Sequence, residues 1–268
     1  MPPQRHAGPS LLALTLVYVA LMFVGGANVK VAFKEPHDSA MAAAFVAQNI
    51  QAIRLGSFCE FVSAISLGLF MAISISRLRF QGTNAAGEQL AALGGIATPI
   101  MLTGSAMATW SLTRPGVAAP GAVEALQSMG FDGGGPGFAV FFGLFVAGVS
   151  VAAGMHRRIP RWLLWLGIAV AAAGELSSLT LLNFKAGYFI PVLRFLSIFW
   201  MLGLAMNLPT ASPVSGTTES GHYAPSRPLR TFQCLMFDRI VGIATARYFY
   251  RRESLMVPND EVPITDTI

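Results

Sequence analysis

Six long apolar runs, separated by short polar, basic or glycine- and proline-bearing stretches, set the pattern of this chain. They cover residues 11–29, 55–75, 89–112, 136–155, 162–183 and 189–208. Each is close to the roughly 20 residues that a helix needs to cross a bilayer. The runs lack a polar face, as expected of helices surrounded by protein on one side and lipid on the other. The pattern therefore predicts an all-α fold, an integral membrane bundle of six transmembrane helices. Gly56, Ser57, Ser63, Ala64 and Gly68 in the second run, and Gly143, Ala147 and Gly148 in the fourth, permit close helix approach. Pro99 should kink the third run, because its ring removes a backbone donor. Pro191 falls in the first turn of the sixth, where proline is tolerated.

The connectors differ in kind. Within residues 30–54, a turn-like KEPHDS cluster precedes an alanine-rich stretch with Met41, Phe45, Val46, Ile50 and Ile53 at near-helical spacing. It reads as a short helix on the outer surface or leading into the second span. Residues 113–135 hold Arg114, Glu124 and Asp132 and end in DGGGPG. That glycine run lacks the GK[ST] of a phosphate loop and reads as a flexible turn back into the membrane. Residues 209–228 are rich in Ser, Thr, Pro and Gly and read as a flexible linker. Residues 229–253 recover a helical period: Phe232, Leu235, Met236, Ile240, Ile243 and Ala244 share a face flanked by Arg230, Arg239, Arg247, Arg251 and Arg252. This predicts a basic amphipathic helix contacting anionic lipid or protein, with a disordered end within 229–268. Gly25, Gly26 and Ala27 resemble a signal-peptidase site. The length of the first run, and the spans after it, favour an uncleaved anchor.

Composition narrows the class. The chain is 54% hydrophobic and 12% charged, about half the charge of an ordinary soluble domain. Its net charge is +5, but the cations sit in short runs between apolar segments, so they report topology and not a nucleic-acid partner. Arg5, Arg77, Arg79, Arg157, Arg158, Arg161 and six arginines of the tail fall on one side. Lys30, Lys34, Arg54, Arg114 and Lys185 fall on the other. The bias predicts a cell membrane protein with both termini cytoplasmic.

The stretches GFAVFFGLFVAGVSVAAG, HRRIPRWLLWLGIAVAAAGEL and PVLRFLSIFWMLGLAM, within residues 134–208, carry a family resemblance. A glycine-phenylalanine opening, a basic-x-Pro-basic turn into Trp and Leu, and a last span near a tryptophan are its marks. In these the chain resembles a bacterial family of polytopic membrane proteins catalogued only as a domain of unknown function. The resemblance implies a six-span fold and membrane location, and no chemistry. The tail beyond residue 209 departs from that layout.

An ionisable group inside a span is costly unless paired, so each is a candidate functional residue. Glu60 in the second span, Glu175 in the fifth and Arg194 in the sixth are the candidates. Counted from the outer span ends, they lie roughly 7.5, 12 and 7.5 Å deep at 1.5 Å per residue. The fifth and sixth spans form a tight hairpin, so Glu175 and Arg194 are placed to pair and fix its packing. Glu60 has Arg54 six residues away as an interfacial partner. No two histidines share a helix face at ligand spacing, so neither haem nor zinc is expected, and no cofactor is implied. Cys59 and Cys234 make no CxxC, and no nucleophile elbow is visible. Asn28, Asn183 and Asn207 read as caps or interhelical hydrogen bonds.

Three readings follow. The first is a non-enzymatic membrane scaffold or sensor partner with a structural Glu175–Arg194 pair. The second is a small proton- or cation-coupled secondary transporter using Glu60 and Glu175; with only six spans it would be expected to form a homo-oligomer. The third, a membrane enzyme, lacks any recognisable catalytic motif.

Overall fold

A computed structural model describes residues 8–28, 39–81, 86–114 and 120–208. All of them belong to one unit, Met1–Val214. The expected linker 209–228, the amphipathic helix 229–253 and the tail to 268 lie outside the described residues. So do Lys30, Lys34 and the start of the first connector.

The elements are α1 (Leu11–Asn28), α2 (Ser39–Gln48), α3 (Ile50–Phe80), α4 (Ala86–Ser111), α5 (Pro120–Asp132), α6 (Phe138–Met155), α7 (Arg161–Ser177) and α8 (Phe189–Asn207). The described residues contain no strand. Five helical stretches are long and apolar enough to cross a membrane, and a shorter apolar helix, Leu11–Ala27, stands with them. The all-α membrane bundle expected from the hydropathy pattern is what the chain forms.

α1 packs on α3, α3 on α4, α4 on α6, α6 on α7 and α7 on α8, and contacts between α1 and α8 close the ring. α6 sits innermost and also reaches α3 and α8. Its Phe138, Phe142 and Phe145 are fully buried, and Phe145 meets Trp200 of α8 edge-on at 6.0 Å. The Trp200 indole N–H donates to the Ser150 hydroxyl at 3.0 Å, which satisfies the one polar atom of that ring. The α4–α6 crossing depends on missing side chains. A Cβ on Gly94 would stand 2.4 Å from the Phe145 nitrogen, and one on Gly148 would stand 2.4 Å from the Ala91 nitrogen. Backbones this close gain dispersion contacts that larger residues would forbid. Ile96, Trp165 and Phe199, each about two-thirds exposed in the isolated chain, point outward where lipid covers them.

α3 is 31 residues long, about 46 Å at 1.5 Å per residue, and overshoots the hydrocarbon core at both ends. Only Asn49 separates it from α2, and its amide donates to the Phe45 carbonyl at 2.8 Å. The short connector helix is therefore present as expected. It packs against α5, with Val46, Ile53, Leu112 and Val123 making a small second core.

One expectation about the connectors is overturned. Residues 113–135 do not form a flexible connector through the glycine run. α5 starts at Pro120, continues through a π-helical turn, Gly133–Gly137, and runs straight into α6. Glycine and proline each weaken an isolated helix, which is why this run looked like a break. Here Gly134, Gly135 and Pro136 are buried, and packing against α4 offsets the poor propensity. The wider π turn also carries the chain past the carbonyl that a proline can neither bond nor clear. At the far end of α7 the helix tightens into 3₁₀ turns, Ser178–Leu181 and Phe184–Tyr188. Asn183 caps the second by accepting from the Lys185 N–H at 3.0 Å. Asn207 bonds back to Gly203 in its own helix, at 2.8 Å.

The two ends of the bundle carry the charges. At one end Arg77 donates to the Pro9 carbonyl, Arg79 pairs with Glu88, and Arg157, Arg158 and Arg161 occupy the α6–α7 turn. At the other, Arg54 donates to the Thr113 hydroxyl and carbonyl, both at 3.2 Å, and Arg114 lies 4.9 Å above the Trp110 ring.

Candidate functional site

The polar site is built where the π turn meets α3, α4 and α8. Ser105 of α4 is buried, with its hydroxyl 2.8 Å from Glu60 Oε1 and 2.8 Å from the Gly130 carbonyl of α5. From α8, the Arg194 guanidinium donates to the Gly134 carbonyl inside the π turn. Its centre lies 5.0 Å over the Phe138 ring, a cation–π contact in a half-buried setting. The Arg194 Nε–H is buried with no acceptor. Gly134 also stands beside Glu60, so the guanidinium and the carboxyl flank the same residue. Three spans and the π turn thus share one polar cluster.

The glycine run makes this approach possible. A Cβ on Gly134 would sit 2.5 Å from Ser105 Oγ and 3.1 Å from Glu60 Oε1. A Cβ on Gly130 would sit 2.8 Å from Thr109 Oγ1. Irregular helix inside a membrane is tolerated only where its freed backbone groups find other partners. Here Ser105 serves one carbonyl and Arg194 another.

The proton inventory is informative. A serine hydroxyl has one hydrogen to give and lone pairs to accept with. Ser105 faces two acceptors at the same distance, so it donates to one at a time. If it donates to Gly130, the contact with Glu60 is a hydrogen bond only when the carboxyl itself carries a proton and donates. If Glu60 is ionised, Ser105 turns toward it and gives up the Gly130 carbonyl. Protonation of Glu60 is thereby tied to the hydrogen bonding of the last turn of α5, which leads into the π turn.

Glu175 stands elsewhere. It lies on the exposed outer face of α7, and no ion pair within 4.0 Å joins it to Arg194. Among the described residues the charged pair that forms is Arg79–Glu88. The reason is angular. Gly174, the preceding residue, is buried against Ala139 and Leu193, and one residue of helix rotates the next side chain by about 100°. Depth along the helix axis placed Glu175 near Arg194, but its direction carries it away. Arg54 is likewise engaged by Thr113 and not by Glu60. Cys59, one residue before Glu60, is buried near Gly25 of α1.

Of the three ionisable residues expected from the sequence, the structure brings Glu60 and Arg194 to one cluster and leaves Glu175 outside it. Ser105 and Gly134 complete the site. Their signal was weak: a serine within an apolar run, and glycines that resembled a loop. Among the described residues no three His, Cys, Asp or Glu side chains converge. Comparison of the chain with protein-family models, curated proteins and solved structures finds no match.

Proposed function

We propose that the chain is a non-enzymatic membrane sensor or scaffold whose responsive element is the Glu60 cluster at the π turn. One observation carries the reading: a single hydroxyl, Ser105, placed 2.8 Å from both the Glu60 carboxyl and the Gly130 carbonyl of α5, just ahead of the π turn. Gain or loss of one proton at Glu60 redistributes a hydrogen bond to the α5 backbone at the entry to the π turn. That turn leads into α6, which touches four other spans, so the change is passed to the bundle. Membership of the bacterial polytopic family, residence in the cytoplasmic membrane and cytoplasmic termini belong to the same reading. The orientation draws on the gathering of Arg77, Arg79, Arg157, Arg158 and Arg161 at the end where α1 begins and α8 finishes, and the family on the motifs within residues 134–208.

Infrared difference spectroscopy on the protein in lipid nanodiscs, stepped in pH, tests this. A protonated-carboxyl band should appear on acidification, with a shift in the amide carbonyl region, and both should vanish in Glu60→Gln. A carboxyl band without any amide change would remove the sensor role.

A second reading, a proton- or cation-coupled carrier, draws on Glu175, a carboxylate on an outward face at membrane depth that a second copy would cover. Proton-driven uptake in proteoliposomes, lost in both Glu60→Gln and Glu175→Gln, would establish it in place of the first.

A further inference from the structure

The turn between α6 and α7 holds a second feature, independent of the Glu60 cluster. α6 ends in a Schellman arrangement, with the Arg158 N–H bonding to the Ala153 carbonyl at 2.9 Å and the Arg157 N–H to the Gly154 carbonyl at 3.0 Å. This closure puts residue 157 in the left-handed region, with φ of 52°. Glycine is the usual occupant, because a Cβ is strained there. Arg157 occupies it instead, and is the one described residue other than glycine with positive φ. An arginine at such a position points to a use for its side chain.

Beside it opens a cavity of about 330 Å³ lined by Gly154, Arg157, Ile159, Pro160, Arg161 and Leu164. Two arginines face apolar walls in it. Among the described residues neither Arg157 nor Arg161 has an ion pair, whereas Arg79 at the same end is paired with Glu88 and Arg77 is bonded to Pro9. Trp162 and Trp165, 54% and 67% exposed, stand on the first turns of α7. Exposed tryptophans of this kind sit at headgroup level. The cavity beside them is therefore at the depth of lipid phosphates, and its lining combines two cations with the apolar side chains of Ile159 and Leu164.

We propose that the α6–α7 turn is a binding site for the phosphate of an anionic phospholipid, gripped by Arg157 and Arg161 with its glycerol and upper chain against Ile159 and Leu164. The alternative source of the same chemistry is free inorganic phosphate. The strained position supplies a clean test, since Arg157→Gly relieves the backbone while removing the cation.

Native mass spectrometry would count phospholipids kept by the full-length protein equilibrated with equal phosphatidylglycerol and phosphatidylcholine. The wild type should prefer phosphatidylglycerol, and Arg157→Gly with Arg161→Gln should lower that preference about tenfold. Arg157→Gly alone should melt no lower than wild type in lipid-free detergent, so its loss of lipid is not a loss of fold. Arg114→Gln, at the opposite end, should keep the preference. Equal retention of both lipids by the wild type, or an unchanged preference in the double variant, would overturn the proposal. So would millimolar inorganic phosphate that displaces the retained lipid and protects the wild type as well as phosphatidylglycerol does, since the site would then be one for soluble phosphate.

Discussion

Two glutamates at similar depth in this bundle meet opposite surroundings. Glu60 is half-buried, hydrogen-bonded to Ser105 and beside Gly134, whose carbonyl Arg194 holds. Glu175 faces outward from α7 with no charged partner within 4.0 Å among the described residues. Membrane depth sets how costly a charge is, but the direction of the side chain around its helix decides whether anything answers it. What distinguishes Glu60 is the neighbouring π turn. Its glycines let two other helices bring a hydroxyl and a guanidinium within reach. Near Glu175, Gly174 is used differently, for packing α7 on α6, and that turns the carboxylate away.

The contrast can be broken most forcefully at Gly134. Gly134→Val places a branched side chain where even a Cβ would stand 2.5 Å from Ser105 Oγ. It should destabilise by about 2–3 kcal/mol and lower the melting temperature in detergent. Next in size, Arg194→Gln removes the charge-assisted bond to the Gly134 carbonyl and should cost about 2 kcal/mol, read from the same melting curves. Ser105→Ala leaves the Gly130 carbonyl and the Glu60 carboxyl without their shared partner. A loss of about 1–2 kcal/mol is expected, with faster amide exchange confined to residues 130–138. The smallest effect belongs to Glu175→Gln, which should change stability by no more than about 0.5 kcal/mol and leave membrane accumulation as in wild type. A collapse of this last variant would show that Glu175 has an essential partner beyond the described residues.

The apolar runs made the spans legible, because only helices can satisfy the backbone in hydrocarbon and their lengths are fixed by the bilayer. α4, α6, α7 and α8 begin or end within a few residues of the runs that predict them. Glu60 and Arg194 were legible for the same reason, being rare charges among apolar neighbours. The partner of Arg194 was not. Pairing by depth ignores rotation about the helix axis, and the rotation of α7 is set by glycine contacts with α6 that no local pattern reveals. The glycine run failed as a signal for a related reason: its intrinsic propensity points to a loop, while burial of Gly134 and Gly135 against other helices makes it helix.

The most direct test of the account is a pair of double-mutant cycles on thermal stability. One combines Glu60→Gln with Arg194→Gln, and the other combines Glu175→Gln with Arg194→Gln. Coupling of at least about 0.5 kcal/mol is expected in the first cycle, and none beyond about 0.3 kcal/mol in the second, as for sites that share no partner. The reverse, with Arg194 coupled to Glu175 and indifferent to Glu60, would contradict the account at its centre.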